Sequence, residues 1–106
     1  MSDVVKADQA GTGARGEHLL ARGEHVALRV WDHEPAGESS PEHANPYEYV
    51  AYIAEGAMRV RIGDAEAQEL RAGDSYVVPA QTPYAFEVLE QAKVVEAVAP
   101  ASALDG

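Results

Sequence analysis

Cysteine is absent from this chain. That removes disulfides, thiolate metal sites and thiol nucleophiles together. Basic residues are scarce as well: eight Lys and Arg stand against eighteen Asp and Glu, for a formal net charge of -10. The imbalance is even, with four basic and nine acidic residues in each of the stretches 1–53 and 54–106. Neither stretch offers a cationic surface, which argues against nucleic acid and anionic membranes as partners. The excess acid reads as a solubility feature. No apolar run approaches a membrane span. The opening Met1-Ser-Asp-Val-Val-Lys6 lacks the basic-then-apolar order of a secretory signal, so a cytoplasmic protein is expected. Also missing are a long amphipathic helical pattern and any solenoid-type repeat.

What is present is β grammar. A chain of 106 residues with 46% hydrophobic content suits one domain with a modest core. The Gly-rich stretch Gly11-Thr-Gly13-Ala-Arg-Gly16 closes a polar opening segment, residues 1–17, expected as a flexible arm or a loosely attached edge strand. Residues 18–100 form the folded body, and 101–106 a C-terminal tail. Strands are expected at 18–22 and 25–32 around the break Gly23-Glu24. In the second of these, Val26, Leu28 and Val30 share one face, and Ala27, Arg29, Trp31 and His33 the other. Pro35 to Pro41 reads as a loop. Tyr49 to Ala54 reads as a strand turned by Glu55-Gly56. Met58, Val60 and Ile62 then alternate with Arg59 and Arg61. Gly63-Asp64 marks a hairpin, and strands at 67–71 and 75–78 follow. Pro79-Ala-Gln-Thr-Pro83 is a loop, since two prolines this close do not sit in a central strand. Strands at 84–89 and 93–99 complete an all-β chain, of the sandwich or barrel kind.

Two spaced motifs narrow the class. The first is Gly37, His43, Asn45, Tyr49 and Gly56; the second is Gly73, Pro79, Gln81 and Tyr84. Their order and spacing resemble the two motifs of the cupin family. In the family pattern, Asn45 stands at a second His, Tyr49 at a Glu, Gln81 at a Gly and Tyr84 at a third His. The resemblance covers residues 26–100. It implies an RmlC-like double-stranded β-helix, a jelly-roll barrel with these side chains directed inward at one mouth. Strand parity agrees in part: Tyr49, Ala51 and Ile53 share a face with His43 and Asn45, and Tyr84, Phe86 and Val88 share another.

The family's usual centre holds a transition metal with three imidazoles and one carboxylate. Here only His43 of that set is kept, and a phenol with pKa near about 10 binds metal well only once deprotonated. No cofactor is therefore expected. Were a divalent transition metal to bind, His43 and Glu48 would be its ligands, with a β-bulge turning Glu48 inward; strand parity instead points Glu48 outward. His33 reads as a loop residue. Glu96, inside Val94-Val95-Glu96-Ala97-Val98, is either solvent-facing or buried.

The expected activity is binding of a small organic ligand inside the barrel, by Asn45, Tyr49, Gln81, Phe86, Arg29 and Trp31. Arg29 would meet an anionic group if its strand face lines the barrel. Two alternatives stand beside this. One is an enzyme, either metal-dependent with rearranged ligands or a metal-free isomerase in which His43 moves a proton while Tyr84 hydrogen-bonds an enolate oxygen. The other is a structural module whose barrel is filled by its own side chains. Val50 and Tyr52, apolar and outward-facing, suggest a homodimer surface.

Overall fold

The computed structural model describes residues 3–105. Eight strands run in chain order: β1 Gly11–Thr12, β2 His18–Arg22, β3 Ala27–Glu34, β4 Ser39–His43, β5 Glu48–Ile62, β6 Gln68–Arg71, β7 Ser75–Val78 and β8 Tyr84–Ala99. Short 3-10 turns at Ala7–Gln9 and Ala101–Asp105 flank them. No helix among the described residues is long and apolar enough to cross a membrane.

Two long strands, β5 and β8, organise everything else. They pair antiparallel from Glu48↔Ala99 to Ile62↔Tyr84 with register shifts midway, and the eight strands make one continuous sheet folded over into two halves, the first and second sheets below. In the first sheet, β1, β2 and β3 add to the late half of β8, while β7 adds to the early half of β5. In the second sheet, β4 adds to the early half of β8 and β6 to the late half of β5. The sheets close over a core that includes Tyr49, Ile53, Met58, Val60, Val88, Val94 and Val98.

The bend corrects the expected turn at Glu55-Gly56. The chain does not reverse there; β5 continues through a set of register shifts between Ile53 and Met58. Before the bend the buried side chains are odd-numbered (Tyr49, Ala51, Ile53), and after it they include Met58 and Val60. A bulge reconciles the two parities by supplying an unpaired residue. Gly56, at φ 87, permits this, because a Cβ there would lie 2.1 Å from the Gln91 carbonyl oxygen. β8 likewise runs unbroken where two strands are expected.

Residues 39–43, expected within or beside a loop, form β4. Its pairings Ser40↔Phe86 and His43↔Tyr84 bring the first motif against the second. The C-terminal 3-10 turn packs Ala101, Ala103 and Leu104 against the core, and β1 hydrogen-bonds along the outer edge of β2.

Candidate functional site

Between the sheets lies a cavity of about 370 Å³, within the range that holds small organic ligands. The second sheet supplies Ser40 and His43 from β4, Met58 from β5, and Tyr84, Phe86 and Val88 from β8. The first supplies Arg29, Trp31 and Glu34 from β3, Tyr49 from β5, Tyr76 from β7, and Val94 and Glu96 from β8. Tyr47, just before β5, completes the aromatic lining.

At the motif positions the polar groups are largely engaged with one another. The His43 ring lies 4.3 Å from that of Tyr84, tilted by 51°. Its Nδ1 is 3.1 Å from the Pro41 carbonyl. A carbonyl only accepts, so the Nδ1 hydrogen donates to it and the neutral ring keeps its lone pair on Nε2. The Asn45 amide donates to Tyr84 Oη at 3.2 Å. Tyr49 is buried and makes edge contacts with Tyr76 and Tyr84. Burial, then the proximity of Tyr76, Glu96 and Tyr84, pushes its phenol far above the ordinary range. Tyr76 is raised as well, by burial first and then by Glu96.

The most charged part of the cavity lies away from the motifs, on β3 and β8. Arg29 and Glu96 are 8% and 6% exposed, and Arg29 Nε donates to Glu96 Oε1 at 2.6 Å. The same oxygen accepts from Trp31 Nε1 at 3.0 Å. The Arg29 guanidinium stands 5.4 Å from the Trp31 ring and 5.8 Å from those of Tyr47 and Tyr49, a set of cation–π contacts. Burial alone would weaken its hold on the proton. The charge of Glu96 and the hydrogen bonds to Tyr47 and Glu96 outweigh that and hold Arg29 firmly protonated. At the end of β3, Glu34 is raised above the usual carboxylate value by its burial and by the nearby Glu38.

Of the expected site residues, His43, Tyr49, Tyr84, Phe86, Arg29 and Trp31 all line this cavity. Three do not. Gln81 is exposed in a left-handed turn at φ 63, and its backbone N–H is committed to the Asn45 carbonyl at 2.7 Å. Asn45 borders a neighbouring hollow of about 510 Å³, next to the loop at 13–17 and the C-terminal 3-10 turn. Glu48 is exposed and paired with Ala99; the register shifts of β5 begin only at Ile53, so nothing turns Glu48 inward. His33 is exposed beside Asp32, at φ 60. Ser40, Tyr47 and Tyr76 were not marked by the sequence. For Tyr76 alternation offered a signal, since it lies two residues before the buried Val78.

The donor set does not fit a metal of the kind these motifs usually hold. Among the described residues no group of three or more His, Asp or Glu could hold a metal ion. Tyr49 is kept protonated, the Asn45 nitrogen is turned toward Tyr84, and His43 offers a single lone pair. A divalent ion there would have one imidazole and neutral oxygens.

The family profile for the cupin domain matches residues 29–98. The chain belongs to the cupin family. Solved structures agree on the fold. An RmlC-like cupin from Shewanella frigidimarina matches at TM-score 0.79 and 20% identity, over 94% of this chain and 92% of its own. KdgF from Halomonas sp. matches at 0.73 and 20%, over 94% of both chains. The polyketide cyclase RemF from Streptomyces resistomycificus matches at 0.68 and 20%, over 95% of this cupin and 80% of its own chain. No curated protein matches the sequence. Identity this low carries the double-stranded β-helix and not an activity.

Proposed function

We propose that this cupin binds a small organic molecule in the cavity between its two sheets. The observation that carries the reading is the cavity itself: about 370 Å³ of space among aromatic walls, with polar groups on both sheets. A barrel filled by its own side chains would leave no such space.

The test is mass spectrometry of small molecules released on denaturing the protein, together with thermal-shift screening of the refilled barrel. A near-stoichiometric organic molecule, or a screen hit that raises the melting temperature, supports the reading. An empty barrel that no compound stabilises would point to the structural module.

A second reading is metal-free proton transfer beside a carbonyl. His43 favours it, because its anchored Nδ1 leaves Nε2 as a base beside the Tyr84 ring. Deuterium uptake from heavy water into a bound ketone, lost in His43→Ala, would support it; exchange at the uncatalysed rate would count against it.

We also propose that the cupin pairs with a second copy of itself through the outer face of the first sheet. Leu28, Ala97, Val50 and Val77 stand side by side across β3, β8, β5 and β7. Val50 and Tyr52 are each 51% exposed. A contiguous apolar row on a sheet face suits burial against another layer.

A further inference from the structure

The Arg29–Glu96 pair is unevenly used, and the unevenness specifies a ligand. Glu96 Oε1 accepts from both Arg29 Nε and Trp31 Nε1. No donor among the described residues reaches Oε2. Yet Ser40 Oγ is the sealed, unpartnered side-chain atom among them, so Oε2 is not sealed; it meets the open space of the cavity that Glu96 lines. A carboxylate oxygen in that position accepts strongly from an O–H or N–H donor.

Charge selects further. Glu96 already balances Arg29, and of the other charged residues bordering the cavity Glu34 and Glu38 outnumber Arg15, so an anion gains little there. A second cation at Glu96 would face the fixed positive charge of Arg29, which also occupies the aromatic faces of Trp31, Tyr47 and Tyr49. What remains suited is a neutral molecule, flat enough to lie among Tyr84, Phe86 and Trp31, with a hydrogen-bond donor at its edge.

We propose that the cavity takes a neutral ring compound that donates an O–H or N–H hydrogen bond to Glu96 Oε2. This rests on the reading of the cavity as a ligand site. It places the polar anchor on β3 and β8, opposite the motif residues His43 and Tyr84.

Isothermal titration of the full chain at neutral pH tests it with three probes: 2-naphthol, its methyl ether 2-methoxynaphthalene, and 2-naphthoate. Naphthol should bind at least about tenfold more tightly than the ether, because only naphthol satisfies the carboxylate. Naphthoate should bind weakest. In Glu96→Gln the amide oxygen keeps Arg29 and Trp31, and the amide nitrogen turns a donor toward the cavity. The preference between naphthol and ether should then shrink or reverse, a change that mere loosening of the barrel would not produce. Equal affinity for naphthol and ether in the unmodified protein overturns the anchor while leaving the cavity a ligand site. Tightest binding of naphthoate overturns it in favour of an anion site at Arg29. Binding of none of the three overturns both the anchor and its ligand class, and counts against the cavity reading as well. If the variant does not fold, the ranking in the unmodified protein decides.

Discussion

The two sheets share β5 and β8 and both bury apolar residues, yet they place their charged and exposed apolar side chains differently. The second sheet follows the usual rule. Its inner face includes Met58, Val60 and Val88, and its outer face carries ion pairs: Arg59 with Glu87 at 2.7 Å and Glu69 at 3.3 Å, Arg61 with Glu42, and Arg71 with Glu90 at 3.2 Å. Such exposed pairs contribute about 0–1 kcal/mol each and mainly keep the surface wetted. The first sheet departs from it on both faces. Among inner apolar residues such as Ile53, Val78, Val94 and Val98 it buries the charged pair Arg29 and Glu96, and apolar side chains lie outside, in Leu28, Val50, Tyr52 and Val77. Buried charge is costly even when paired and hydrogen-bonded, as Arg29 and Glu96 are, and exposed apolar area is unfavourable until covered. Finding both on one sheet places the molecule's two proposed interactions there: a ligand on the inner face and a second copy on the outer.

The strongest way to break the contrast is Glu96→Ala. It strands the Arg29 guanidinium in the interior without its anion and leaves Trp31 Nε1 without its acceptor. The expected loss is about 3–5 kcal/mol in urea unfolding. The double variant Arg29→Met with Glu96→Leu should recover most of it. A loss below about 1 kcal/mol for the single variant would mean that the pair is not effectively buried.

Val50→Glu acts on the opposite face of the same sheet. Its side chain is already half exposed, so the fold should be nearly unaffected while self-association collapses, as read by analytical ultracentrifugation. A protein that sediments as a monomer before the substitution would sink the dimer proposal.

Substitutions at the motif positions should be milder. Tyr84→Phe keeps the buried ring and gives up one hydrogen bond from Asn45, a cost of about 1 kcal/mol. His43→Ala removes a partly exposed ring and should change stability by about 0.5 kcal/mol or less. Both should alter affinity for a cavity ligand by more than they alter the melting temperature. A loss of several kcal/mol in either would reassign that residue to the core.

The smallest effect concerns Glu34. Its carboxyl is raised in the folded protein by burial and by Glu38, so the folded state binds its proton more tightly than the unfolded chain does. That contribution favours folding below the ordinary carboxylate range and is lost as pH rises through the folded value. Glu34→Gln should therefore raise the melting temperature slightly near neutral pH, with the gain fading toward about pH 4. A gain that persists unchanged in acid would contradict the shift.

Much of this could be read along the chain. The spacing of Gly37, His43, Gly73 and Pro79 identified the barrel, and period-2 alternation put Tyr84, Phe86 and Val88 on the cavity side. Alternation also grouped Ala27, Arg29 and Trp31, but it could not say whether that group faced in or out. The side of a strand that is buried depends on which strands flank it, and the β8 partners of these residues, Val98, Glu96 and Val94, lie far along the chain. The same limit applied to Glu96, whose partners are Arg29 and Trp31. The turn expected at Glu55-Gly56 fails for a related reason. A glycine at positive φ serves turns and bulges alike, and what separates them here is the close approach of the Gln91 backbone.

The class of fold, the positions of most strands and the residues standing at the usual metal-ligand positions were legible along the chain, because these follow from local periodicity, turn chemistry and residue identity at fixed spacings. That Arg29 and Glu96 meet inside the barrel, that Gln81 and Glu48 stay out of it, and that one sheet buries a charged pair behind an apolar outer row became visible only with the strands assembled. Those outcomes depend on which distant strands become neighbours and which of two faces each then buries, and no stretch of chain carries that information alone.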